Sequence, residues 1–102
     1  RRARGAILMF RLDVEGPDRV RLIGRLDAAE ADAATKEFAK LEGPLVADCS
    51  ELEYISSAGI SVLLITYKRL AAAGKSLRLT EVPPRIRNVF VYSGLAKLLG
   101  IE

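Results

Sequence analysis

The chain has 102 residues, half of them apolar, and a formal net charge of +3 from 16 Lys and Arg against 13 Asp and Glu. That length holds one domain with a conventional core and is too short for two. Histidine is absent and cysteine occurs once, as Cys49; this excludes Ser-His-Asp and Cys-His catalysis, the commonest metal ligand and an internal disulfide.

No run of about 18 apolar residues is present, so no membrane span and no direct membrane insertion are expected. Ile7 to Phe10 is too short for the apolar part of a secretory signal, and the expected location is cytoplasmic. The first residue is Arg1 rather than Met. The chain reads as trimmed, processed or cut from something larger: a single domain over residues 1–102, with 1–8 a flexible or added lead-in. The carboxylates show no metal-ligand spacing such as that of an EF-hand loop, so neither a metal nor a cofactor is expected.

Phe10, Leu12 and Val14 alternate with Arg11, Asp13 and Glu15, the period of a strand with one buried face. Gly16-Pro17-Asp18 is turn chemistry. Val20, Leu22 and Leu26 resume the alternation, so the first two strands should form an antiparallel hairpin. Arg19, Arg21 and Arg25 fall on the opposite, solvated face. The basic bias of this half also includes Arg1, Arg2, Arg4 and Arg11. No aromatics are interleaved with it, which argues against a nucleic-acid partner.

Asp27 is placed to cap the next helix, with Glu30 at capping-box distance. Ala31, Ala34, Phe38 and Leu41 make the stripe of that helix, and Gly43-Pro44 stops it. Leu45 to Cys49 reads as a short buried strand, with Cys49 an inert core thiol at its end. A polar loop should follow. The second helix is expected from Ala58 to Ala73, ended by Gly74, with Ile60, Leu63, Leu64 and Tyr67 facing the sheet. Leu77, Leu79 and Thr80 lie in a further alternating segment up to Val82. Pro83 and Pro84 suit a helix start. Ile86, Val89 and Phe90 form the buried stripe of that third helix, and Gly94 is its C-cap. Leu95, Leu98 and Leu99 should close the chain in a last helical turn, with Ile101 adding a short edge strand. The order β-β-α-β-α-β-α-α implies an α/β fold. Its small mixed β-sheet joins an N-terminal antiparallel hairpin to parallel strands, with helices packed on it.

The chemically suggestive stretch runs from Asp48 to Leu64. Ser56 and Ser57 open a strongly apolar helical segment directly after a strand and loop. Serine is a favoured N-cap, and a helix N-terminus also favours a phosphate. A surface serine there suits a phosphorylation switch. A Ser-Ser pair at such a turn also serves as a plain cap, and spacing leaves both roles open. A nucleophilic serine lacks a base, since Lys68 lies roughly 16 Å along the helix at 1.5 Å per residue. Gly59 costs about 1 kcal/mol in a helix relative to alanine, so it serves close packing or the close approach of a partner, or is simply tolerated. Ser57, Ser61, Ile65 and Lys68 share a stripe of their own. Ile65 there is either an exposed contact residue or a side chain covered by a neighbour. Loops at the carboxyl ends of parallel strands gather together in open α/β sheets. Asp27 and Asp48 both lie beside such ends, and Asp27 can thereby approach Ser57.

Four pieces in order resemble the motifs of STAS domains, the fold of bacterial anti-sigma factor antagonists. Gly24-Arg25-Leu26-Asp27 is similar to the family's Gly-x-Leu-Asp after the second strand, and Leu45 to Ser50 to its third strand ending in Asp-x-Ser. Ile55-Ser56-Ser57-Ala58-Gly59-Ile60 resembles its Asp-Ser-Ser-Gly-Leu signature, and Ser93-Gly94-Leu95 its final Ser-Gly-Leu. The resemblance spans about Phe10 to Ile101. Aligned on Gly59, it implies Ser57 as the phosphorylated serine, with Ser56 as the alternative. Ser56 then stands where the family often has Asp, and Ala58 where it has a second serine.

The resemblance implies a non-enzymatic binding module. Such a module sequesters an anti-sigma factor that is also a serine kinase of the GHKL type and so frees a sigma factor. Phosphorylation breaks that complex and a serine phosphatase restores it. Partner contacts would then fall on Asp27, Ser57, Ser61 and Ile65. The same fold also serves as a STAS subunit of a lipid-transport ABC complex and as the cytoplasmic STAS domain of an anion transporter. Copurification of a GHKL kinase, an ABC ATPase or a transporter separates these readings.

Overall fold

The computed structural model describes residues 9–101; the expected lead-in over 1–8, with Arg1, Arg2 and Arg4, lies outside the described residues. The N-terminal hairpin forms as the alternation requires. Strands β1 (Arg11–Gly16) and β2 (Arg19–Leu26) pair antiparallel, with Leu12 opposite Leu22 and Asp13 opposite Arg21. Then follow α1 (Ala31–Ala39), β3 (Leu45–Ile55), α2 (Ser57–Ala72), β4 (Leu77–Thr80) and α3 (Pro84–Ser93). The sheet order is β1-β2-β3-β4, with β2, β3 and β4 parallel. This is the small mixed sheet that the pattern of elements implies.

One face of the sheet carries the core. Along β2, Val20, Leu22 and Leu26 are fully buried, while Arg19, Arg21, Ile23 and Arg25 point to the other side. Leu45, Ala47 and Leu79 continue the buried face, and Phe38, Leu63, Ile86 and Phe90 of the three helices pack into the same cluster. Each such large apolar side chain contributes roughly 1.5–3 kcal/mol relative to exposure. Every helix therefore leans on one side, and the second face stays polar.

Several local expectations need correction. β3 does not stop at Cys49 but runs on to Ile55, because the segment expected to be a polar loop stays paired to β2. Ile23 faces Glu51, Gly24 faces Leu52 and Leu26 faces Ile55. Two register shifts, between Arg21 and Ile23 and between Gly24 and Arg25, break the period of two there. Asp48 accordingly lies in the middle of the strand rather than at its carboxyl end. β4 ends at Thr80, short of Val82.

The buried stripe of α2 is Gly59, Val62, Leu63, Thr66 and Leu70; Ile60, Leu64 and Tyr67 are half-buried flanks. Thr66 sits in this stripe because its hydroxyl bonds the Val62 carbonyl at 2.9 Å. α1 starts at Ala31 behind Glu30, with no side-chain bond capping it there. Asp27 instead caps the turn before the helix.

Val14 is exposed because it lies on the edge strand beside the register shift at Gly16. Val89 is exposed because Ile86 and Phe90 set the contact line of α3, and residue 89 lies about 100° round the helix from Phe90. Gly94 takes a left-handed φ of 79° as the C-cap of α3, as expected. The tail after it forms hydrogen-bonded turns rather than a helix, and Ile101 forms no strand. Leu98 faces outward, while Leu99 is buried and its carbonyl accepts the Leu79 N–H at 3.2 Å.

Candidate functional site

The carboxyl ends of β2 and β3 meet the start of α2, and one carbonyl organises the junction. The Leu26 oxygen accepts the Ser56 N–H at 3.1 Å. A side chain on Gly59 would run into that same oxygen, and would also lie 2.8 Å from Ile55 Cγ1 and 2.9 Å from Leu26 Cγ. Gly59 therefore serves close packing: it lets the first turn of α2 seat directly on the end of β2.

The two serines divide their roles. Ser56 is the N-cap, with extended backbone, and its Oγ accepts the Gly59 N–H at 3.2 Å. Its carbonyl accepts the first helical bond, from the Ile60 N–H at 2.9 Å. Ser56 is thus held on three sides and half-buried. Ser57 is the first helical residue, exposed, and its hydroxyl has no hydrogen-bond partner among the described residues. A helix start concentrates free N–H groups and positive potential, so an anion attached to Ser57 would be well tolerated there.

Below Ser57, the stripe of Ser61, Ile65 and Lys68 is exposed throughout. Ile65 is 56% exposed, so among the described residues no neighbour covers it.

Asp27 follows Leu26 directly and so reaches the same end of the sheet. Its Oδ1 accepts from the Ala29 and Glu30 N–H groups at 3.1 and 3.2 Å. Its Oδ2 lies 3.7 Å from Arg25 Nε. The guanidinium of Arg25 in turn sits 4.2 Å above the Tyr54 ring, a cation–π arrangement. Arg85 at the start of α3 donates to the Glu53 carbonyl at 3.4 Å, bringing a second cation to the rim. Sequence reasoning missed Arg25, Tyr54 and Arg85. The signal available is the Arg within Gly-x-Leu-Asp, which strand alternation assigns to a solvated face.

Asp48 does not join this site. It faces Arg21 across the sheet, buried on the polar side, with Arg21 and Arg19 nitrogens at 3.6 and 3.9 Å. Burial opposes its ionisation, but the Ser50 N–H at 2.8 Å, the Ser50 hydroxyl and the two guanidiniums outweigh that effect and hold its carboxyl below the usual range. Arg21 also reaches Glu51 at 2.9 Å and Glu15 at 3.0 Å. The hydrogen bond to Glu51 above all, then the charge of Glu15, keeps its pKa raised. Arg21 and Arg25 are therefore half-buried members of ion-pair clusters rather than a freely solvated row. Burial pushes the Cys49 thiol up to about 12, so it is an inert core thiol in mid-strand. Among the described residues no group of His, Cys, Asp and Glu could hold a metal, and no helix is long and apolar enough to cross a membrane.

Comparison with known proteins agrees with this fold. The family described as Mlab, STAS domain, matches residues 11–100. A Bordetella bronchiseptica protein, BtrV, provisionally named an anti-sigma factor antagonist, is 36% identical over 84 residues, covering 78% of this chain and 72% of its own. The anti-sigma factor antagonist SpoIIAA in its unphosphorylated form superposes with a TM-score of 0.71 at 21% identity, over 86% of this chain and 83% of that one. The Bacillus cell fate determinant SpoIIAA in its phosphorylated form gives 0.66, also at 21% identity, over 86% of each chain. With the family match spanning residues 11–100, nearly the whole chain, this protein belongs to the STAS domain family.

Proposed function

We propose that this STAS domain is an anti-sigma factor antagonist, a phosphorylation-switched binding module rather than an enzyme. The observation that carries the reading is the division of labour at the start of α2. Ser56 is consumed by capping, whereas Ser57 is exposed with a free hydroxyl. The provisional name of BtrV supports the same function. Residues 1–102 act in this role as one domain. Its partners are an anti-sigma factor that is also a GHKL-type serine kinase, and a phosphatase that resets the switch.

The unphosphorylated domain offers the partner Ser57, Ser61 and Ile65 along the edge of α2, with Asp27 at the end of β2. Phosphate on Ser57 adds about −1.5 to −2 charge. Inside the domain that charge meets the favourable end of the helix dipole, so the fold is kept. The penalty falls on the interface, where a dianion must be desolvated and set against partner carboxylates. Release of the partner follows, and with it recapture of the sigma factor.

Incubation with a cognate kinase and ATP, followed by phosphopeptide mapping, tests the assignment. Phosphate is expected on Ser57; phosphate on Ser56 alone, or on neither serine, refutes it. Copurification tests the partner class: recovery of an ABC ATPase or a transporter in place of the kinase would move the domain to the lipid-transport or anion-transporter setting.

A further inference from the structure

Among the described residues β1 pairs with β2 alone and ends the strand order, so its outer side is an open sheet edge. At the opposite edge, the Leu79 N–H of β4 is taken up by the Leu99 carbonyl. An open edge presents unpaired N–H and C=O groups and is a template for another strand unless charged side chains, proline or a bulge blunt it. From Arg11 to Val14, β1 has no proline and no bulge, its register shift lying beyond Val14, and its two charges, Arg11 and Asp13, are of opposite sign. Val14 is moreover 61% exposed on the side of the sheet that carries the core.

The sequence of this edge is complementary to itself. Two copies can pair antiparallel about a two-fold axis with their core-side faces matched only if the axis passes through a residue, because a one-residue slip flips every side chain. An axis at Arg11 sets arginine against arginine, and one at Asp13 sets aspartate against aspartate. An axis at Val14 sets Asp13 against the second copy's Glu15, twice. An axis at Leu12 avoids every like-charge pair. It places Leu12 on Leu12, Arg11 opposite Asp13 twice, and the exposed Val14 opposite Phe10 twice. Arg11 and Asp13 already lie side by side at 3.0 Å within one chain, so the four charges close into one cluster. Cross-strand pairs of opposite charge and of apolar side chains are the units that stabilise a sheet.

We infer that the chain associates with a second copy of itself through β1, antiparallel, with the two-fold axis at Leu12, so that two four-stranded sheets become one. Sedimentation velocity on the full chain, over concentrations of about 10 to 500 µM, is expected to show a monomer–dimer equilibrium. Val14→Lys and Arg11→Asp should each raise the dissociation constant at least tenfold and leave melting of the dilute protein unchanged. Oxidation of Leu12→Cys should give a disulfide-linked dimer. Val14→Cys should not, because its two thiols stand four residues out of register, about 13 Å at the rise of a strand. Cys49, buried in the core, does not interfere. Monomeric sedimentation throughout, a dimer indifferent to both charge variants, or equal cross-linking of the two cysteine variants would overturn the inference.

Discussion

Replacing the two serines one at a time separates structure from switch. Ser56→Ala removes the acceptor of the Gly59 N–H. Loss of an N-cap serine costs about 1 kcal/mol, within a range of roughly 0.5–2. Gly59 is buried against Leu26, so its N–H gains little from water when the cap is gone, and the cost belongs in the upper half of that range. For a domain of this size, 1 kcal/mol shifts Tm by about 4–8 °C. Ser57→Ala breaks no hydrogen bond and puts a better helix former at the first helical position, so Tm should hold or rise slightly. The kinase assay should reverse the ranking: folded Ser56→Ala still accepts phosphate, and Ser57→Ala does not. Thermal melts and phosphate incorporation, measured on both variants, give the comparison. Equal destabilisation by the two substitutions, or loss of phosphorylation in folded Ser56→Ala, would refute the division of roles.

Gly59→Ala should destabilise by about 1–3 kcal/mol despite the better helix propensity of alanine, because the obstructing Leu26 carbonyl is backbone and yields little; chemical denaturation measures it. Ile65→Lys should weaken partner binding and leave the melt intact, and Asp27→Asn, which keeps most capping ability, should lower partner binding or phosphorylation; calorimetry and the kinase assay read these out. The depressed pKa of Asp48 means that its contribution to stability is complete above the unfolded value of about 3.9 and is lost as pH falls through the folded one. Urea denaturation between pH 5 and pH 3 should therefore show a steeper loss for the wild type than for Asp48→Asn.

Strands with clean alternation were legible in the sequence, as β2 is, and so were the helix boundaries marked by Pro84 and Gly94. Those signals are local. The length of β3 was not legible, because two register shifts set the buried Cys49, Leu52 and Ile55 three residues apart and the outward Glu51 and Glu53 imitate a loop. The face of α2 was not legible either: the helix is apolar nearly all round, and its orientation comes from the seating of Gly59 on Leu26, a tertiary contact. The serine site was half legible. Composition and spacing pointed to the pair, but assigning cap and free hydroxyl required the helix start to a single residue, finer than periodicity resolves. The bond from the Ser56 N–H to the Leu26 carbonyl, which joins the end of β2 to the start of α2, spans thirty positions of chain and arises only when β2 and β3 pair in register.

The central claim is that phosphate on Ser57 releases a partner without unfolding the domain. Titration calorimetry of the cognate anti-sigma kinase against unphosphorylated protein, enzymatically phosphorylated protein and Ser57→Asp, with a melt of each, tests it directly. All three should melt within about 0.5 kcal/mol of one another. The phosphoprotein should bind at least tenfold more weakly, a loss of about 1.4 kcal/mol, with Ser57→Asp shifted in the same direction. Full-strength binding by protein phosphorylated on Ser57 would contradict it.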